Sequence, residues 1–181
     1  MAAMTIRAAR ADDAPSVAAI YNAGIAGRQA TFETRPREPE EIVAWLERGL
    51  PFLVAENGDG RILGFARATP YSPRPFYAGV LDHGVYIDPA ASGQGVGRRL
   101  LDELAAEAER RGTYKLTSRI FTTNAASRAV HRAAGFEEVG LKRFHGRLDG
   151  EWKHCVLVER LLGDAAAAAA SDESAHARGS S

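Results

Sequence analysis

The chain has 181 residues, 23 basic and 23 acidic side chains for a formal net charge of zero, and 45% hydrophobic residues. That length fits one domain with its own core, and the balanced charge excludes a general attraction to nucleic acid or to an anionic membrane. The one cysteine, Cys155, excludes an internal disulfide and suits the reducing cytoplasm, and no apolar run reaches the ~18 residues of a membrane-spanning helix.

Residues 1–4 read as a short leader without the long apolar region of a signal peptide. Thr5 to Ala8 is expected as the first strand. Asp12-Asp13 before Pro15 signals a helix start, and Val17, Ile20, Tyr21 and Ile25 recur on one face of that helix. Gly24 and Gly27 loosen its end, and residues 26–38 read as a loop holding Thr31, Phe32 and Arg35. A second helix is expected over about Pro39 to Arg48, with Ile42, Trp45 and Leu46 inward. Pro51–Ala55 and Ile62–Ala68, separated by Asn57-Gly58-Asp59-Gly60, read as a hairpin. Three prolines then stiffen residues 69–79, a loop carrying Arg74, Phe76 and Tyr77.

The central stretch runs from Gly84 to Leu104. Val85-Tyr86-Ile87 is strand-like, Asp88-Pro89 stops it, and Gly93, Gly95 and Gly97 form a loop. Val96, Leu100, Leu101, Leu104 and Ala108 follow at helical spacing. A glycine loop opening onto a helix N-terminus points unpaired N–H groups and the helix dipole at one place, which suits a phosphate or pyrophosphate. A dinucleotide fold fits poorly, because residues 89–92 separate strand from loop and the next strand carries no acid at its end. That next strand is Tyr114 to Phe121. A helix over Asn124–Ala133 and a closing hairpin, Glu137–Arg143 with Glu151–Leu161 turning at Asp149-Gly150, complete the order β-α-α-β-β-β-α-β-α-β-β. From Gly163 the chain is alanine-rich without large apolar residues, and residues 163–181 are expected to be a disordered tail.

Ser92-Gly93-Gln94-Gly95-Val96-Gly97 resembles the acyl-CoA signature of the Gcn5-related N-acetyltransferases, Q/R-x-x-G-x-G/A, with Ser92 replacing the first residue. The element order is similar to theirs over about Thr5 to Leu162. Within that superfamily the phrases IYNAGI, ATFETRPR, PYSPRPFYAG, VYIDP, NAASRAVHRAAGF and HGRLDGEW resemble phosphinothricin and methionine-sulfoximine N-acetyltransferases, and arsinothricin N-acetyltransferases in particular. The resemblance implies an α/β fold with a mixed central sheet of about seven strands and helices on both faces. It also implies acetyl-CoA as co-substrate, no metal, a small amino acid as acceptor, and a homodimer. The rival expectations are a protein or peptide N-terminal acetyltransferase on the same scaffold and a non-catalytic acyl-CoA-binding module.

By the same resemblance, the backbone of Val85, Tyr86 and Ile87 would hold the pantetheine arm, and Gly93, Gln94, Gly95, Val96, Gly97 and Arg98 the pyrophosphate. Asn124 would touch the cofactor arm or simply cap its helix. Asp82 stands where the phosphinothricin enzymes carry a glutamate and would be the general base, because burial on a central strand raises a carboxylate's pKa. His131 would donate to the leaving thiolate or bond the cofactor. Arg74 is expected to recognise an oxyanion-bearing tail, with Phe76 and Tyr77 walling the pocket. His83 falls on the opposite strand face from Asp82 and reads as a strand histidine. Arg147 and Trp152 flank the closing turn, and Trp45 and Cys155 read as core. His145, His154 and Cys155 do not make a closed metal-ligand set.

Overall fold

The computed structural model describes the backbone of residues 4–179 and the side chains of residues 4–173. The strands are β1 (Met4–Ala8), β2 (Phe52–Asn57), β3 (Ile62–Pro70), β4 (Val80–Ile87), β5 (Lys115–Phe121), β6 (Glu137–Leu148) and β7 (Glu151–Leu161). The helices are α1 (Ala14–Ala26), α2 (Pro39–Leu46), α3 (Val96–Arg110), α4 (Ala125–Ala133) and α5 (Gly163–Gly179). One seven-stranded sheet, ordered β1-β2-β3-β4-β5-β7-β6, is antiparallel except where β4 and β5 run parallel. Among the described residues no helix is long and apolar enough to cross a membrane.

Both faces of the sheet are covered at β2 and β3, whereas β6 is exposed along most of its length, and the alternation of side chains shows how the cover is made. On β2, Phe52 and Val54 join Val17, Ile20, Tyr21 and Ile42 beneath α1 and α2. Leu53 and Ala55 point the other way, into the cluster that holds Leu100, Leu101 and Leu104 of α3. A strand buried on both faces therefore loses its polar alternation. Tyr86 extends the first cluster by stacking on Phe65 at 5.2 Å and meeting Tyr21 edge-on at 4.8 Å. Trp45 lies there too, with the Arg67 guanidinium 3.7 Å above its ring.

The expected elements form, with three corrections. Met4, placed in the leader, is the first residue of β1 and pairs with Asn57; the rest of that leader lies outside the described residues. The strand β6 runs on from Arg143 to Leu148, across a register shift between Lys142 and Gly146 where the Phe144 N–H donates to His154 Nδ1 at 2.8 Å. The shift re-aims the strand, as bulges do, and turns His145 toward the centre of the sheet. Finally, of the tail expected to be disordered, Gly163–Gly179 forms the helix α5, and residues 180–181 lie outside the described residues. Alanine has the highest intrinsic helix propensity, and Ala166, Ala169 and Ala170 lie against a groove with Gly135 and Arg160.

Candidate active site

The site originates in a break between parallel strands. The β4–β5 ladder comprises Val80↔Lys115, Leu81↔Leu116 and Asp82↔Thr117, and ends there. Beyond Asp82, β4 stays paired with β3 as far as Ile87 and Gly64, so its other edge opens. The Asp88 N–H donates to the Leu63 carbonyl on β3, and on the opposite edge the His83 carbonyl accepts from Ser118 Oγ at 2.9 Å. Backbone groups alternate edges along a strand, so the N–H and C=O of Val85 and Ile87 face the opening. An extended amide-bearing arm can add there as a strand would. The Val85 and Ile87 side chains pack on the α3 cluster, and Tyr86 packs on the α1 cluster.

The opening is a cleft of ≈ 400 Å³ that reaches both faces of the sheet. Asp82, Arg119, Phe121 and Cys155 line one side, and His83, Ser118 and His131 the other. The loop between α1 and α2 covers it with Thr31, Phe32 and Glu33. Phe32 stands edge-on to Phe121 at 4.7 Å. Asn124 ties this loop down: its Oδ1 caps α4 by accepting from the Ser127 N–H at 3.0 Å, and its Nδ2 donates to the Gln29 carbonyl at 2.9 Å.

Asp82 sits at the base of the opening. Its Oδ2 accepts from Arg119 at 3.0 Å. Burial pushes its carboxyl above the usual aspartate range, against the pull of Arg119 and Lys142. A carboxylate with that bias is a better proton acceptor than a solvated one.

His131 is 3% exposed and engaged at both ring nitrogens. Its Nδ1 lies 2.8 Å from the Ser127 carbonyl, which can only accept, so Nδ1 carries the hydrogen. Its Nε2 is 3.0 Å from Nε2 of His83. The shared proton therefore resides on His83, whose Nδ1 is left buried and without a hydrogen-bond partner among the described residues. Burial keeps both rings neutral: it lowers His131, and it takes His83 down to about 3, aided by His131. Proton donation from His131 Nε2 toward the cleft requires both its release from His83 and a proton gained on Nε2. Strand alternation correctly places His83 opposite Asp82, but the sequence reading missed its pairing with His131.

The glycine loop lies beyond the end of β4. Asp88 Oδ1 accepts from the Ala90 N–H at 2.9 Å and fixes the turn. Gly93 and Gly95 have φ of +77° and +78°, with open space where a Cβ would stand. Gly95 is the N-cap of α3. A left-handed glycine with an unobstructed face lets a diphosphate reach the first N–H groups of the helix. Gly97 has a different reason: a Cβ there would meet Val130 Cγ1 at 3.1 Å, so it sets the α3–α4 approach. Val96 is 2% exposed and is core. Gln94 donates to the Ala90 carbonyl, and the exposed Arg98 lies 3.6 Å from Asp102.

The proline-rich loop stands apart from the cleft. Arg74 is exposed and its guanidinium makes no hydrogen bond among the described residues. Phe76 is 66% exposed. Tyr77 lines an adjoining groove with Asp82, Arg119 and Lys142. Arg147 lies 4.2 Å over the Trp152 ring, away from the cleft. Cys155 is 1% exposed, and burial pushes its thiol up, so it stays protonated.

This architecture recurs in known proteins. The Acetyltransferase (GNAT) family model matches residues 19–136. A phosphinothricin N-acetyltransferase of Alcaligenes faecalis is 41% identical over 165 residues, covering 88% of this chain and 83% of that protein. A GNAT superfamily phosphinothricin acetyltransferase from Sinorhizobium meliloti, solved in complex with AcCoA, superposes with a TM-score of 0.84 at 31% identity, covering 91% of each chain. A ribosomal-protein-alanine N-acetyltransferase from Brucella melitensis gives 0.83 at 35% identity, covering 87% of this chain and 99% of that one. A sheet that splays after Asp82, a glycine-capped helix beyond the splay and these matches lead to one conclusion: the chain belongs to the Acetyltransferase (GNAT) family, the N-acetyltransferases that use acetyl-CoA.

Proposed function

We propose that this chain transfers the acetyl group of acetyl-CoA to the α-amino group of a small glutamate-like amino acid of the phosphinothricin, methionine-sulfoximine or arsinothricin type. The acceptor loses its free amine and with it its toxicity, so the activity confers resistance. The observation that carries this reading is a single half-buried carboxylate, Asp82, at the base of the cleft where β4 and β5 part. The 41% identity to a phosphinothricin N-acetyltransferase supports the acceptor class. We further propose a homodimer located in the cytoplasm.

Transfer is direct, within a ternary complex. Val85 and Ile87 hold the pantetheine arm through their backbone, and the N–H groups at Gly93 to Gly97 hold the diphosphate. The α-amine of a free amino acid is held above the ~8 of a peptide terminus by its own carboxylate, so at neutral pH it arrives protonated and needs a base. Asp82 takes its proton as nitrogen attacks the thioester carbon, the C–N bond forms and the C–S bond breaks. The electron pair leaves on sulfur, whose thiol pKa near ~8.5 makes it an adequate leaving group. Proton return to sulfur is assigned to His131, whose Nε2, once released from His83, first takes up a proton from solvent and then passes it to the thiolate. Arg74, on the turn that leads to Tyr77, is the proposed cation for the acceptor's oxyanion tail, with Phe76 and Tyr77 beside it.

The test is thiol release from acetyl-CoA with phosphinothricin, methionine sulfoximine, an arsinate-bearing glutamate analogue, glutamate and a short peptide. Turnover on the oxyanion-bearing amino acids, with KM raised about tenfold or more in Arg74→Ala, is the expected result. Turnover on the peptide alone overturns the acceptor and favours the N-terminal acetyltransferase reading, to which the Brucella likeness points.

A further inference from the structure

We propose that Arg119 is a positioning residue for Asp82, holding one carboxylate oxygen so that the other is presented to the acceptor amine. This rests on the reading of Asp82 as the base.

The argument begins with register. Asp82 pairs with Thr117 in the last rung of the β4–β5 ladder. Arg119 lies two residues further along β5 and so on the same face as Thr117 and Asp82. The strands have begun to separate there, which leaves room for a guanidinium to fold back across the mouth of the cleft. It does so with one contact only, Nη2 to Oδ2 at 3.0 Å. Oδ1 makes no hydrogen bond among the described residues. A bidentate pair would occupy both oxygens, and a one-sided pair leaves a lone pair free at a defined place.

The other groups around Asp82 do not duplicate this contact. From β6, Lys142 adds positive charge without touching the carboxylate, and His145 faces the cleft. From β7, Glu159 is taken by Lys115 of β5, and Cys155 is protonated. Tyr71 and Tyr77 line the adjoining groove, and Glu33 lines the cleft from the covering loop. His83 points to the opposite face. Among these groups Arg119 alone contacts the Asp82 carboxylate. Burial favours the protonated acid and Arg119 favours the ionised one, so Arg119 decides how far into acid the base stays competent.

The experiment compares kcat/KM for the best acceptor in Arg119→Gln, Arg119→Lys and Asp82→Asn with the parent, at about pH 6 and about pH 8.5. Taking each variant-to-parent ratio cancels the amine's own titration. For Arg119→Gln the ratio is expected to fall steadily from about pH 8.5 to about pH 6, because loss of one neighbouring cation raises a carboxylate's pKa, and to approach about a tenfold drop per pKa unit only below the pH at which the carboxyl itself titrates. Arg119→Lys should recover most of the difference. A flat ratio for Arg119→Gln, with Asp82→Asn strongly impaired at neutral pH, overturns this inference alone. Parent-like rates in Asp82→Asn overturn the base reading and this inference with it. A residue with only a structural or tail-binding role would lower the rate equally at both pH values.

Discussion

Lowering the pH from about 7.5 to about 5 perturbs the two buried histidines before it perturbs most ordinary carboxylates. His83 is taken down to about 3 by burial, and His131 is also lowered. In the unfolded chain both are free imidazoles that bind a proton near pH ~6.5. The unfolded state thus binds more protons than the native state below that pH, and stability must fall as pH falls. The contribution is fully present above the unfolded pKa and is lost steadily beneath it. For His83 alone, with a native value of about 3, the loss between about pH 7.5 and about pH 5 is about 2 kcal/mol. His131 adds a loss of the same sign. The assay is urea unfolding at several pH values on the parent and on His83→Gln, whose amide supplies a donor to His131 but does not titrate. Subtracting the two curves removes the ion-paired carboxylates, such as Asp13 with Arg7, that are common to both. The parent should lose about 2 kcal/mol more than His83→Gln over this interval. Parallel curves would refute the neutral, proton-excluding pair deduced from the 3.0 Å Nε2–Nε2 contact.

Two further substitutions address the loop and the thiol. Gly95→Ala forces a Cβ onto a residue at φ +78° and should cost about 1–2 kcal/mol of stability. It should also raise the KM for acetyl-CoA several-fold while leaving acceptor KM nearly unchanged; steady-state kinetics with either substrate varied tests this. Cys155→Ala removes a thiol from the small cluster with Phe121 and Leu148 and should cost roughly 1 kcal/mol. It should keep kcat within about threefold, because direct transfer has no acetyl-enzyme step. A folded Cys155→Ala protein without activity would overturn direct transfer.

Much of this protein is written locally. The helical spacing of Val96, Leu100, Leu101, Leu104 and Ala108 identifies the buried face of α3, and all five are buried. Glycine at 93 and 95 permits the left-handed conformation found there, which it takes without strain. Parity along β4 places Asp82 and His83 on opposite faces, and the structure keeps them there. These features depend on neighbours within a few residues, where propensity and period suffice.

What only the tertiary structure decides is which of these faces meet, and in what register. Nothing in the sequence of β5 states that Thr117 is the last residue to pair with β4. The Asp82–Arg119 ion pair, the open edge at Val85 and Ile87 and the width of the cleft all follow from that rung. The His83–His131 contact likewise depends on how α4 lies over β4, 48 residues apart in sequence. Arg74 illustrates the reverse case. A stiff loop and a permanent cation are visible in sequence, yet the fold sets that side chain in solvent, apart from the cleft. Secondary structure is settled by short-range sterics and hydrogen bonding. Site geometry is settled by long-range packing, where a shift of one rung would send Arg119 to a different partner.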